Sequence, residues 1–173
     1  MCGLLFSIAT FYQQSETVYM QIEKAVAAAT TTKVGVYEGE KAIDFQLESI
    51  AGEQQSLKDW RGKTVILNFF ASWCHPCQEE MPALVELNNR LDKNDFVIVG
   101  VNMLKQERNK EDVLQFLKHY EAQYPIVFDE HGKVMNDYKI IGIPTTFIID
   151  EEGIIKKRIN GMVSVDMIES LLN

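Results

Sequence analysis

Two cysteines separated by two residues follow an uninterrupted apolar stretch and precede a segment of helical character. The stretch is KTVILNFF (63–70), and the cysteines are Cys74 and Cys77 of FASWCHPCQEEMP (70–82). An apolar run of this kind is typical of a strand buried on both faces of a sheet. The sequence therefore predicts a strand followed by a helix from about Cys74 to Leu91.

Apolar and amphipathic segments alternate along the rest of the chain. This alternation predicts an α/β fold with a largely parallel central sheet. Only a short turn, Glu152-Gly153, separates the last two strands, which should therefore form an antiparallel hairpin at one side. The other predicted strands are 42–47, 95–102, 124–129, 145–150 and 154–160, and the other predicted helices are a short turn at 56–63 and the segments 109–122, 134–140 and 163–172.

The composition of the whole chain excludes several classes of protein. With 173 residues, the chain is long enough for one packed domain and a short appendage. A formal net charge of −8 argues against a nucleic-acid partner, which needs a basic patch. The basic run at 156–158 is most simply an exposed strand tip. Three cysteines are too few for a disulfide scaffold, and Cys2 is remote in sequence from the other two.

The N-terminal region has a different character. Residues 1–14 are mostly apolar, but they are fewer than the ~20 residues of a membrane-spanning helix and lack the basic start of a secretory signal. We interpret them as the outer half of a signal anchor whose beginning is missing; a short helix packed on the domain is the alternative. Residues 15–40 are then a helical stalk and linker, with Ser15 as an N-cap, and residues 41–173 are the folded domain.

Four kinds of chemistry are open to a CxxC pair. A structural zinc site needs four ligands, and the sequence has neither a second CxxC nor a closely spaced histidine pair, His119 and His131 being more typical of solvated positions. Covalent haem attachment needs CxxCH, whereas Gln78 follows Cys77. A purely structural disulfide across so short a loop contributes little stability. Reversible dithiol chemistry is the remaining interpretation.

The position of the pair on the helix supports this interpretation. Cys74 falls at the helix start, where unpaired N–H groups and the helix dipole favour a thiolate. Cys77 lies one turn later on the same face, within bonding reach. We expect Cys74 to be more exposed and to attack a partner disulfide, and Cys77 to resolve the mixed disulfide. Pro82 lies inside the helix and should kink it.

Motifs along the chain resemble the thioredoxin superfamily: WCHPC (73–77), Pro82 and GIPT (142–145). More narrowly, the segment 42–74, Glu80 and PTTFIIDEEG (144–153) resemble membrane-anchored ResA/TlpA-type thiol-disulfide oxidoreductases with an AhpC/TSA-like redoxin domain. The resemblance extends from Ala42 to the C-terminus. It implies a three-layer thioredoxin-like fold, in which helices flank a central mixed β-sheet, with a helix-strand insert at about 103–128 and an N-terminal extension.

The resemblance also implies roles for individual residues. Cys74 and Cys77 would form the redox-active disulfide, and Glu80 would be a third catalytic residue that modulates the thiols and relays a proton. Pro144 would be a cis-proline facing the cysteines, and Ile143 would offer its backbone to an extended client. Glu79, by contrast, is expected on a solvated helix face.

The residues around the cysteines are expected to bind the client or tune the couple. Trp73 would be an exposed aromatic beside the site. His75 and Pro76 would set the redox potential, since a protonated His75 would stabilise the Cys74 thiolate and make the couple more oxidising. A charged Glu80 would act in the opposite direction by raising the thiol pKa. No metal or other cofactor is expected.

The implied function is reduction or exchange of disulfides in client proteins on the extracytoplasmic side of a bacterial cell membrane. Expected clients are apo-cytochrome c, during cytochrome c maturation, or spore-envelope proteins, and the expected electron donor is a membrane-bound thiol-disulfide protein. Two alternatives stay open. A thiol peroxidase is one, although NFFASWC lacks the PxxxTxxC of peroxiredoxins. A copper-binding chaperone of the same fold is the other, since paired thiolates suit copper(I), although CHPC is not the usual CxxxC.

Overall fold

The computed structural model describes residues 18–21 and 32–172. Residues 18–21, within the predicted stalk, are helical and exposed. The predicted apolar segment 1–14, Cys2, Ser15 and most of the predicted stalk lie outside the described residues. From Val34 onward the chain forms one unit, and the helices described there are α1 (His75–Arg90), α2 (Lys110–His119), α3 (Lys133–Asp137) and α4 (Val165–Leu172), with 3-10 turns at Leu57–Trp60 and Leu104–Gln106.

Nine strands are described: β1 (Val34–Gly35), β2 (Lys41–Ala42), β3 (Gln46–Ser49), β4 (Gln54–Ser56), β5 (Thr64–Phe70), β6 (Phe96–Asn102), β7 (Ile126–Phe128), β8 (Thr145–Ile149) and β9 (Ile155–Asn160). Seven of them form one sheet in the order β4-β3-β7-β6-β5-β8-β9. The strand β5 is the predicted apolar run, and all its residues but the first are buried. β1 and β2 pair separately, in parallel.

The sense of the strands confirms one prediction and contradicts another. β8 and β9 form the predicted antiparallel hairpin at one side of the sheet. Within the seven-stranded sheet only the pairs β5-β6 and β6-β7 are parallel. The expectation of a largely parallel sheet is therefore wrong, and the mixed sheet implied by the family resemblance is correct. Two of the four antiparallel pairs in this sheet, β3-β4 and β8-β9, are hairpins whose connections of four and five residues are too short for a parallel crossover.

Alternate side chains of β5 enter two apolar layers, one on each face of the sheet. Ile66 and Phe70 pack in the layer that contains the buried residues of α1, α2 and α4. Leu67 and Phe69 pack in the opposite layer, with α3 and the segments before β3. Because the side-chain period of a strand is two, one buried strand supplies both layers. The result is the expected three-layer arrangement.

Three sequence-based expectations differ from the structure in detail. The strand predicted at 42–47 is β3, shifted to Gln46–Ser49, because the backbone at Ile43 instead accepts a hydrogen bond from the Tyr138 hydroxyl. Residues 34–40, assigned to the linker, contain β1 and hydrogen-bond to β9 through Gly39 and Glu40. The basic run 156–158 lies in the body of β9 and not at its tip.

Within residues 18–21 and 32–172, no helix is long and apolar enough to cross a membrane.

Candidate active site

Cys74 and Cys77 form a disulfide at the beginning of α1, with their Cα atoms 5.2 Å apart. Cys74 is the N-cap residue of this helix, and the Cys77 backbone N–H points at the Cys74 sulfur at an N···S distance of 3.3 Å. Cys74 is 5% exposed and Cys77 1%, so Cys74 is the more exposed residue of the two, as predicted, although both are buried. In the reduced protein the same N–H and the helix dipole would stabilise a Cys74 thiolate.

The segment before β8 faces the disulfide from a distant part of the chain. The peptide bond between Ile143 and Pro144 is cis. The carbonyl oxygen of Ile143 lies 3.7 Å from the Cys74 sulfur. The structure thus brings together the sulfur and the Ile143 backbone, which are 69 residues apart in sequence.

Glu80 is a buried carboxyl group on α1, 2% exposed and three residues after Cys77. Residues three apart on a helix share a face. One carboxylate oxygen accepts a hydrogen bond from Asn68 Nδ2 at 2.6 Å, and the other accepts one from the Val163 backbone N–H at 2.6 Å. Burial raises the pKa of Glu80 to about 7, although the two hydrogen bonds act in the opposite direction. Glu80 is therefore near the midpoint of its titration at neutral pH.

The exposed rim of the site contains the other predicted residues. Trp73 is 54% exposed, and its indole N–H donates to the Gln106 carbonyl at 2.9 Å. Pro76 is also exposed. The His75 side chain is 79% exposed and lies 3.3 Å from the Glu79 carboxylate, so Glu79 occupies the solvated face expected for it.

Three polar residues of the site, Asn68, Ser72 and Glu107, were not predicted from the sequence. Asn68, in the middle of buried β5, donates to Glu80 and also to the Thr146 hydroxyl at 2.9 Å. A polar residue inside an otherwise apolar run was the available signal for Asn68. Ser72 and Glu107 hydrogen-bond to each other, and no local pattern indicated that contact.

Metal-ligating side chains do not gather in the part of the chain that the structure describes. Among residues 18–21 and 32–172, no three histidine, cysteine, aspartate or glutamate side chains are placed to share a metal ion. His119 and His131 are both exposed, as predicted.

Comparison with known proteins identifies the family of the chain. Residues 38–158 match the AhpC/TSA family. The chain belongs to the AhpC/TSA family. Similar relatives include the thioredoxin-like protein YneN of Bacillus subtilis, which is 40% identical over 124 residues, covering 72% of each chain. The thiol-disulfide oxidoreductase ResA of Geobacillus thermodenitrificans is 38% identical over 142 residues, covering 82% of this chain and 80% of ResA.

A solved structure confirms the fold of this AhpC/TSA family member. StoA from Bacillus subtilis matches with a TM-score of 0.68 and 32% identity, covering 76% of this chain and 97% of StoA. With the Cys74–Cys77 disulfide, these relatives show that the chain is a thiol-disulfide oxidoreductase with a thioredoxin-like fold. The predicted family, fold and reaction class are confirmed.

Proposed function

We propose that this oxidoreductase reduces disulfides in extracytoplasmic client proteins, with Cys74 as the attacking and Cys77 as the resolving cysteine. The observation that carries the proposal is the position of the Cys74 sulfur, at the N-terminus of α1 and 3.7 Å from the Ile143 carbonyl oxygen. There the sulfur has a local electropositive environment and lies beside the Ile143 backbone, to which an extended client is proposed to bind.

The reaction starts from the reduced cysteine pair. The Cys74 thiolate attacks one client sulfur, the client S–S bond breaks, and the second client sulfur leaves as a thiolate that takes up a proton. The Cys77 thiolate then attacks the Cys74 sulfur and displaces the remaining client sulfur. Two electrons have now passed to the client, and the enzyme is left with the Cys74–Cys77 disulfide. A membrane-bound dithiol donor regenerates the reduced pair by the same exchange.

Glu80 is the proposed acceptor of the Cys77 proton. It lies on the same helical face as Cys77, and its pKa of about 7 lets it accept and return a proton at neutral pH. Asn68 and the Val163 N–H hold the carboxylate in place. Among the buried residues described on α1, Glu80 is the only carboxyl group.

The exposed residues around the sulfur are the proposed client-binding and tuning positions. Ile143 supplies backbone for an extended client, and Pro144 presents it through the cis peptide bond. Trp73 supplies an exposed aromatic surface. His75 and Pro76, between the cysteines, tune the potential of the couple. The solvent exposure of His75 and its contact with Glu79 limit the stabilisation that it gives to the thiolate.

Extracytoplasmic action is proposed because disulfides persist in oxidising compartments, where a reductant for them has substrates. Apo-cytochrome c and spore-envelope proteins are the proposed clients. Residues 1–14 are proposed as part of a membrane anchor and residues 15–33 as the stalk. The thioredoxin-like domain is proposed to begin at residue 34, earlier than the predicted boundary at 41, because residues 34–40 contain β1 and hydrogen-bond to β9.

An insulin-reduction assay with dithiothreitol as electron source tests the roles of the cysteines. We expect Cys74→Ser to abolish catalysis, and Cys77→Ala to accumulate a mixed disulfide with insulin that non-reducing electrophoresis detects. Cys2→Ser is the matched control and should retain the wild-type rate. Undiminished activity of Cys74→Ser would refute the proposal. Comparing insulin with an oxidised apo-cytochrome c peptide then tests the proposed client class.

A further inference from the structure

The loop that leads into Cys74 is held by a carboxylate from a different part of the chain. Glu107 follows the 3-10 turn after β6 and is half-buried. Its Oε1 accepts a hydrogen bond from the Ser72 backbone N–H at 2.6 Å, and its Oε2 accepts one from the Ser72 hydroxyl at 2.6 Å. Asn102, at the end of β6, donates to the same Oε1 at 2.8 Å. The Glu107 carboxylate thus accepts three hydrogen bonds, and two of them come from Ser72, which lies two positions before Cys74.

The neighbouring contacts fix the rest of this loop. The Trp73 indole donates to the Gln106 carbonyl at 2.9 Å, so Ser72 and Trp73 are both tied to adjacent residues of the same turn. The Ser72 carbonyl accepts a hydrogen bond from the Gln78 side chain at 2.8 Å, which ties the loop to α1 as well. The two residues before Cys74 therefore have little freedom to move independently of the turn at 104–106.

The character of these bonds makes Glu107 the strongest of the tethers. Hydrogen bonds to an ionised acceptor are roughly twice as strong as neutral ones, and a bidentate arrangement also fixes orientation. The hydrogen bonds of Glu107 to the described residues are to Ser72 and Asn102 and not to either cysteine sulfur. Its effect on the reaction must therefore act through Ser72.

We propose that Glu107 is a positioning residue for the nucleophile. By clamping Ser72, it keeps Cys74 at the N-cap of α1, where the Cys77 N–H meets the Cys74 sulfur and where that sulfur faces the Ile143 carbonyl. This inference rests on the proposed role of Cys74 as the attacking thiolate. Without the clamp, the loop samples other positions and the thiolate loses part of the stabilisation given by the helix terminus.

The rate at which iodoacetamide alkylates Cys74 in the reduced protein tests the clamp, because only the thiolate reacts. Because Cys74 and Cys77 lie on one tryptic peptide, fragmentation of that peptide by tandem mass spectrometry assigns the label to Cys74 or Cys77. We expect Glu107→Ala to raise the Cys74 thiol pKa by about one unit, so that alkylation in mildly acidic buffer slows about tenfold, equivalent to about 1.4 kcal/mol. The value of kcat/KM for insulin reduction should fall in parallel.

Two further variants separate positioning from charge. Glu107→Gln keeps an oxygen for the Ser72 and Asn102 N–H groups and offers an N–H to the Ser72 hydroxyl, so it should retain near-wild-type alkylation. Ser72→Ala removes one bond of the clamp and should show a smaller decrease, which keeps the test valid if Glu107→Ala does not fold. Glu111→Ala, which deletes an exposed carboxylate on α2, is the matched control and should behave as wild type.

The outcomes are distinguishable from a failure of the proposed function. Wild-type alkylation of Cys74 in both Glu107→Ala and Ser72→Ala would overturn the inference. So would faster alkylation in Glu107→Gln than in wild type, because the carboxylate would then act through its charge. If the wild-type protein does not reduce insulin, the proposed function fails, whereas an unaffected Glu107→Ala in an active protein removes only the positioning role.

Discussion

Replacing Glu80 by glutamine tests whether burial has shifted this carboxyl group, because the substitution removes the charge and nearly preserves the shape. The pKa of Glu80 is raised from the ordinary 4.5 to about 7, chiefly by burial. Below pH 4.5 the group is protonated in both the folded and the unfolded chain. Between pH 4.5 and 7 the unfolded chain releases this proton while the folded protein keeps it, so the free energy of unfolding falls as the pH rises. Above pH 7 the loss is complete.

The size of this loss follows from the shift. A difference of one pKa unit corresponds to about 1.36 kcal/mol, so Glu80 lowers the free energy of unfolding by about 3 kcal/mol across this window. Glu80→Gln lacks this pH dependence. It also has a pH-independent cost of about 1–3 kcal/mol, because one amide oxygen cannot accept from both the Asn68 and the Val163 donors. The decisive quantity is therefore the change in stability with pH, not the stability at any one pH.

Urea denaturation of the oxidised protein measures this quantity, since cysteines in a disulfide do not titrate. From about pH 4 to about pH 8, we expect the free energy of unfolding of the wild-type protein to fall by about 3 kcal/mol relative to that of Glu80→Gln. Glu79→Gln is the matched control: it removes an exposed carboxylate from the adjacent position and should keep the wild-type profile. Parallel profiles for wild type and Glu80→Gln would refute the assignment of a raised pKa to Glu80.

Two further predictions concern the two apolar layers of the fold. Leu84→Ala should lower the free energy of unfolding by about 2–5 kcal/mol, because Leu84 is buried on α1 in the same apolar layer as the two cysteines. A decrease below about 1 kcal/mol in urea denaturation would contradict this packing. Tyr138→Phe should lower it by about 1–3 kcal/mol, because the hydroxyl donates to the Ile43 carbonyl at 2.5 Å in the opposite layer. Unchanged stability of Tyr138→Phe in the same assay would show that this hydrogen bond contributes nothing net.

The sequence predicted most elements because their signals are local. The run that forms β5 and the amphipathic segment that forms α2 can be found from neighbouring residues alone. The sense of the strands could not be found in this way, since it depends on which distant segments pair. β3 lies antiparallel to β7, about 80 residues later, and no local pattern of either strand specifies that partner.

The same distinction applies to the candidate active site. Cys74, Cys77 and Glu80 share one helix, so spacing alone indicates that they lie together. The contact between the Cys74 sulfur and Ile143 was expected only from the family resemblance, because it joins residues that are 69 positions apart in sequence. The contact of Ser72 with Glu107 had neither kind of support.

The pair Glu79-Glu80 shows why helix geometry, and not composition, decides the chemistry of this site. Successive helical residues point about 100° apart, so one glutamate reaches water beside His75 while the other is enclosed with Cys77 in the apolar layer. The enclosure that destabilises the charged form of Glu80 by about 3 kcal/mol also brings its pKa to about 7. A carboxyl group with an ordinary pKa is almost fully ionised at neutral pH and is a weaker proton acceptor for a thiol. A variant that exposed Glu80 to water would therefore return its pKa towards the ordinary 4.5 and lose the proton transfer proposed for the resolving step.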